Sequence, residues 1–413
     1  MFGTSSSAID DDRGALEDAL VDRVREIVGA PDYLQRAVDA DRAGQLSIDN
    51  VRALQEAGIT GLVVDPRFGP NGARLELVVR VMEALAYRDA STSVALNMHW
   101  LGGRTLARLP SFPRRDEALA AIAAHEALIC GAFSIPTGGL DSRKAALTCR
   151  EAGDDLVFNG RAGFGSMSDA ASYAMLGGTV AGSDASDPAF AITVGRFGEP
   201  GLINHHNWSA MGMRATASND IECRDLCIPK SDCLIAPMSS FKARRQTETA
   251  AVAFGITAIW LGLSQAAFDF TVDYTQNRYG YMASGTFNAS ASQYRADEAW
   301  AQSAIGNMDH WLGTGRVLLR DMVARLNDYA DESVLTRDLL RTLFHLRRMS
   351  EEVAMGAMKT CGAHGFVTER PLERIFRDLI GGIVMAWKTD QIQQTLGIGA
   401  LGRPITFTGP AGS

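Results

Sequence analysis

The chain has 413 residues, 46% of them hydrophobic and 21% charged, with a formal net charge of −8. That balance excludes a disordered chain and suits two or three domains sharing a substantial core. An acidic excess with no opposing block of Lys and Arg excludes a nucleic-acid partner. The densest basic spots, Arg244-Arg245 and Arg347-Arg348, read as solvated helix faces. No apolar run approaches the roughly 20 residues needed to span a bilayer, so no membrane is expected. The N-terminus, with Ser5-Ser6-Ser7 and Asp10-Asp11-Asp12, lacks the features of a signal peptide and reads as a short mobile tail. Six scattered cysteines suit reduced thiols in the cytoplasm. Cys223, Cys227 and Cys233 lie close together without a CxxC pair or a neighbouring His, so they read as small apolar strand residues, and no metal is expected.

Along the chain, residues 1–127 read as an N-terminal helical domain. Leu16, Leu20, Val24 and Ile27 recur at helical spacing, as do Val78, Val81, Met82 and Leu85. Pro110 and Pro113 mark a helix boundary. Residues 128–239 read as a middle domain of antiparallel strands: short apolar runs at 156–160, 174–178 and 189–194 are separated by Gly, Asp and Ser. Residues 240–413 return to helical periodicity, with helices expected from Thr247 towards Arg278, Ala296 to Tyr329, Leu335 to Lys359 and Pro371 to Gly397. Their length and Ala, Leu and Met content predict a bundle, part of which packs against a second subunit. The fold class is α+β.

Four segments carry the functional signal. They are Phe133-Ser134-Ile135-Pro136-Thr137-Gly138-Gly139-Leu140-Asp141, Asn159-Gly160-Arg161-Ala162-Gly163-Phe164-Gly165-Ser166, Trp208 to Ser218, and the C-terminal run. The last holds Cys361-Gly362-Ala363-His364-Gly365, Pro371-x-Glu373-Arg374-x-x-Arg377-Asp378 and Thr389-x-Gln391-Ile392-Gln393. In this order, over roughly residues 20 to 400, they resemble the acyl-CoA dehydrogenase superfamily of flavoproteins. The resemblance implies a helical domain, a β domain and a four-helix bundle, with FAD held between the last two, in a homodimer or homotetramer. It implies flavin contacts from Phe133, Ser134, Gly139, Phe164 and Ser166. It gives Arg278, Gly362, Ala363, Thr389 and Gln391 to the diphosphate and nucleotide part. Ile135 and Leu140 depart from the family's Glu and Ser in the first segment.

The family's glutamate base, two residues before Thr389, is here Trp387, whose indole can only donate. Some branches carry that glutamate on the long central helix, near Val252 here, which makes Glu248 one candidate base. His99 is the other, because a neutral imidazole can accept a proton or support oxygen chemistry at a flavin. His205-His206 read as a loop without an acidic partner nearby in sequence. The favoured reading is an FAD-dependent oxidoreductase that oxygenates a specialised small molecule, thioester-bound or related, through reduced flavin and O2. A conventional acyl-CoA dehydrogenase passing electrons to an electron-transfer flavoprotein, and a catalytically silent flavoprotein, stay open.

Overall fold

The computed structural model describes all residues except 1–4, 69–71, 135–145, 243–245, 279–293, 386–387, 407–408 and 411–413; the side chains of 5–12, 242, 246–252, 406 and 409–410 are also outside the description. The chain forms two compact units. The first takes Met1–Val81, Ser91–Ala210 and Arg214–Arg245; the second takes Met82–Ala90, Met211–Met213 and Gln246–Ser413.

Six helices come first: α1 (Ser5–Gly29), α2 (Pro31–Ala43), α3 (Ile48–Glu56), α4 (Leu75–Ala86), α5 (Ala90–Ala107) and α6 (Pro113–Ala123). Sequence punctuation explains several boundaries. Pro31 and Pro113 occupy first helical positions, where a missing N–H costs nothing. The Ser47 hydroxyl accepts the Asn50 N–H as the cap of α3. Two expectations need correction. The residues expected as a mobile tail belong to α1 from Ser5 onward. The buried stripe of α1 is rotated, with Glu17, Val21, Val24 and Val28 inward and Leu16 exposed. A buried carboxylate is tolerable there because Arg74 grips Glu17 with both Nε and Nη2, at 3.1 Å each.

The sheet of the first unit contains β1 (Ile129–Ala132), β2 (Leu147–Ala152), β3 (Asp155–Gly165), β4 (Tyr173–Val180), β5 (Ala189–Arg196), β6 (Leu202–Asn204), β7 (Asn219–Pro229) and β8 (Cys233–Pro237). Strand order is β6-β7-β3-β2-β4-β5-β8, with β1 beside β4. The sheet is mixed rather than antiparallel, since β4 runs parallel to both β1 and β2. Those pairings join strands distant in sequence, which local turn signals do not encode. One core gathers Leu147, Leu156, Phe158, Leu176, Ile221 and Ile228. A second joins Leu106, Phe112 and Ile122 to Ile129, Met175 and Val194, which fixes the end of α5 and all of α6 against strands. Of the clustered cysteines, Cys223 is buried on β7 while Cys227 is exposed.

A short α7 (Met238–Lys242) closes this unit. The second contains α8 (Gln246–Gln276), α9 (Ala299–Ala324), α10 (Glu332–Cys361), α11 (Ala363–Phe366), α12 (Pro371–Val384) and α13 (Thr389–Ala400). Helix α8 packs against α9, α10 and α12. Its stretch Ala253–Gln276 has 24 residues and a mean hydropathy of 1.2, which by length and composition suffices to cross a membrane, contrary to the expectation that no such run exists. Of that window 78% is buried inside the protein, so its apolarity is that of a core helix. The single helix expected from Pro371 to Gly397 is two, because Met385 turns extended (φ −69°, ψ 166°) and α13 restarts at Thr389. Arg347, expected in solvent, is buried, and burial pushes its guanidinium down to about 10.

Candidate functional site

In the first unit, β1 runs out into Phe133 and Ser134, and Ser134 bridges to Gly163 of β3, whose N–H donates to the Ser134 carbonyl at 3.0 Å. Ser134 therefore sits beside Phe164. Phe164 has φ +58°, a left-handed backbone that a bulky residue rarely adopts, and its ring is 48% exposed. Phe133 is 41% exposed, with its ring edge over Gly177, where any Cβ would lie 2.3 Å from it. Only glycine fits that position. Trp208 meets Phe164 edge to face, with centroids 6.0 Å apart. Phe133 and Phe164 thus leave two large apolar rings about half in solvent.

Behind Phe164 the polar groups turn inward. Ser166 is buried, its Oγ 2.7 Å from the Ser218 hydroxyl, which is 2.7 Å from that of Thr216. The loop before Trp208 is pinned from several sides. Asn219 accepts the Trp208 N–H at 2.8 Å and donates to Ser168 and Asp169. His205 and His206 do have acidic partners, Glu222 at 2.8 Å and Asp169 at 2.7 Å. Antiparallel pairing of β6 with β7 returns Glu222 opposite Ile203, which sequence distance concealed. Among the described residues no group of three or more His, Cys, Asp or Glu could hold a metal ion.

The Trp208–Ser218 segment serves the scaffold more than an open edge. Arg214 donates to the carbonyls of Asp41 and Arg42 at the end of α2, a C-terminal cap. In the second unit, Gly212 lies so close to α12 that a Cβ would stand 2.1 Å from the Arg377 carbonyl. The Met213 N–H donates to Asp378 at 2.6 Å, and Arg377 reaches the Met211 carbonyl at 3.0 Å while chelating Glu373.

His99 is displaced from its expected catalytic role. It is fully buried, and its Nδ1 accepts the Ile129 N–H at 3.0 Å. The proton therefore sits on Nε2, which donates to the Thr60 carbonyl at 3.1 Å. Burial pushes its pKa down to about 4. One nitrogen ties α5 to β1 and the other ties it to the Thr60 carbonyl, so no lone pair remains for a substrate proton.

In the second unit, Arg278 follows α8 and donates to His364 Nε2 at 2.6 Å, while His364 Nδ1 lies 3.2 Å from the Tyr274 hydroxyl. Arg278 and Arg295 both stand over the Tyr274 ring, at 5.8 and 5.2 Å. Loss of water and the cations Arg278, Arg295 and Arg370 hold His364 below its usual pKa. Gly362, with φ +60°, and Ala363 are exposed beside it. These residues form one cationic corner. Thr389 sits apart at the start of α13, its hydroxyl donating to Glu351 at 3.3 Å, and Gln391 is exposed in the same turn. Gly139, Trp387 and the Glu248 side chain lie outside the described residues; Glu248 belongs to the first turn of α8.

An exposed aromatic edge with hydroxyls behind it fits an isoalloxazine, and a guanidinium corner with glycine-limited backbone fits an anionic tail. Helices, sheet and helices in this order, with such groups, define a flavoenzyme of the acyl-CoA dehydrogenase build. The chain belongs to the acyl-CoA dehydrogenase family: residues 15–126 match the N-terminal domain and residues 254–382 the C-terminal domain. The family's members are flavin-dependent oxidoreductases and its cofactor is FAD. The short-chain specific acyl-CoA dehydrogenase of Rattus norvegicus mitochondria is 26% identical over 83% of this chain and 80% of its own length. The L-evernosamine nitrososynthase of a Micromonospora species is 23% identical over 85% and 83%. Among solved structures, FMN-bound TdsC from Paenibacillus sp. A11-2 shares the fold with a TM-score of 0.81 at 15% identity, covering 94% of this chain and 100% of that one.

Proposed function

We propose that the chain is a flavin-dependent oxygenase acting on a specialised small molecule. The observation that carries this reading is the residue at the family's base position. Trp387 stands where the family's glutamate is expected, and His99 has both nitrogens committed inside the fold. Removal of an α-proton from an acyl thioester needs a base within hydrogen-bond reach, and oxygenation does not need that base. A relative named as a nitrososynthase supports the direction.

Bound flavin supplies two-electron transfer and, once reduced, reactivity towards O2. The chain's own residues supply the setting. Phe133, Phe164 and Trp208 would keep water from the ring face, and the Ser134 hydroxyl would meet its edge, while Ser166, bonded to Ser218, supports the loop behind them. Arg278, held by His364, is assigned to the phosphate part with Gly362, Ala363, Thr389 and Gln391. Exposed Phe366, Val384 and Leu401 support a homo-oligomer.

The rival is a conventional acyl-CoA dehydrogenase using Glu248 and an electron-transfer flavoprotein, favoured by the 26% identity to a short-chain enzyme. Anaerobic mixing with butyryl-, octanoyl- and palmitoyl-CoA separates the two. The oxygenase reading expects the flavin to stay yellow with all three and, once chemically reduced, to reoxidise by consuming O2. Bleaching by any thioester, abolished in Glu248→Gln, would establish the dehydrogenase instead.

A further inference from the structure

Helix α5 carries two donors that the fold leaves without partners. Asn97 is 4% exposed and its Nδ2 is buried with no hydrogen bond; the Nε of half-buried Arg104 is in the same state. Among the described residues Arg104 makes one hydrogen bond, from Nη2 to the Ala73 carbonyl. Elsewhere in this unit Arg74 meets Glu17, Arg114 meets Glu199 and Asp232, and Arg161 meets Asp220. Arg104 meets none. Burial, reinforced by the neighbouring cation Arg108, pushes its guanidinium down to about 10. A buried donor without an acceptor is costly, and a fold retains one where something else satisfies it.

Positions 97 and 104 are one heptad apart. They share a face of α5 to within about 20° and are separated by about 10 Å along it. Leu101, half-buried, lies on that face between them. Polar ends with an apolar middle describe the complement of an elongated amphiphile.

We infer that this face of α5 is a substrate-binding wall on which Arg104 receives the oxyanion, carboxylate or phosphate, of an elongated organic anion whose apolar stretch lies over Leu101. Calling that anion the substrate rests on the oxidoreductase reading; its binding does not. A guanidinium fork suits a carboxylate and a phosphate alike, with two parallel N–H donors.

Calorimetric titration of the flavin-loaded protein with octanoate, octyl phosphate and uncharged 1-octanol tests this. At least one anion should bind ten-fold or more tighter than the alcohol, and which one does identifies the head group. Arg104→Met should erase the preference and Arg104→Lys, which keeps charge without the fork, should reduce it. The Met variant should melt at or above the wild-type temperature, because it removes a buried charge with no carboxylate partner. No preference in the wild type, a preference kept in Arg104→Met, or a Met variant that fails to fold would overturn the inference. The visible spectrum of the same samples reports flavin independently. Flavin without anion preference removes this inference alone, and anion preference without flavin removes only the redox reading.

Discussion

The surroundings of His99 and the edge at Phe164 lie in the same unit and are finished to different degrees. Around His99 each imidazole nitrogen has its partner and no atom reaches solvent. At Phe164 a large ring stands 48% exposed on a left-handed backbone, against another aromatic. A satisfied polar group holds the fold together, whereas an exposed ring on strained backbone is kept for something that arrives later. Residue type alone would have ranked the histidine first.

Four experiments break or sharpen that contrast. Gly212→Ala should cost about 3 kcal/mol or more, since its Cβ would meet a backbone carbonyl that has nowhere to go. Denaturant unfolding checks it, and a near-neutral result would mean that the Met211–Met213 segment is not bound to α12 as described.

His99→Leu strands the Ile129 N–H and should cost about 2 to 3 kcal/mol, leaving flavin content unchanged. Its pH dependence has a definite sign. The folded-state pKa of about 4 lies below the ordinary 6.5, so the stabilisation is complete above pH 6.5 and drains away as pH falls towards 4. That amounts to about 3 kcal/mol. Chemical denaturation of wild type and His99→Leu across this range should show the gap closing towards acid. A gap that widens instead would give His99 a charged role.

Phe164→Ala should weaken flavin binding about tenfold, roughly 1.4 kcal/mol. Its melting temperature should hardly move, because the ring buries little. A large loss of stability with intact flavin affinity would make Phe164 a packing residue. Arg214→Ala should cost about 1 kcal/mol through the lost cap of α2 and leave flavin affinity alone.

Much of the scaffold was legible from local pattern. The spacing of Val78, Val81, Met82 and Leu85 anticipated four buried side chains, and Pro110 with Pro113 anticipated the break between α5 and α6. What depended on distant partners was not. Glu17 is inward because Arg74 lies 57 residues on, and His205 finds Glu222 only through strand pairing. The mixed sheet needed β4 to run beside β1 and β2, which no turn signal specifies. For the site, the motif segments were readable, but their division of labour was not. Arg214 and Gly212 stand in sequence only as members of a motif and prove to be a helix cap and a close backbone crossing. Trp208 was visible only as the start of a motif, with nothing to indicate that it packs on Phe164.

The most direct measurement is the visible spectrum of the purified protein, followed by titration of FAD and FMN into wild type and Phe164→Ala. A yellow protein, or one that takes up FAD with an affinity that falls about tenfold in the variant, is the predicted result. A colourless protein that takes up neither flavin would contradict the account at its centre.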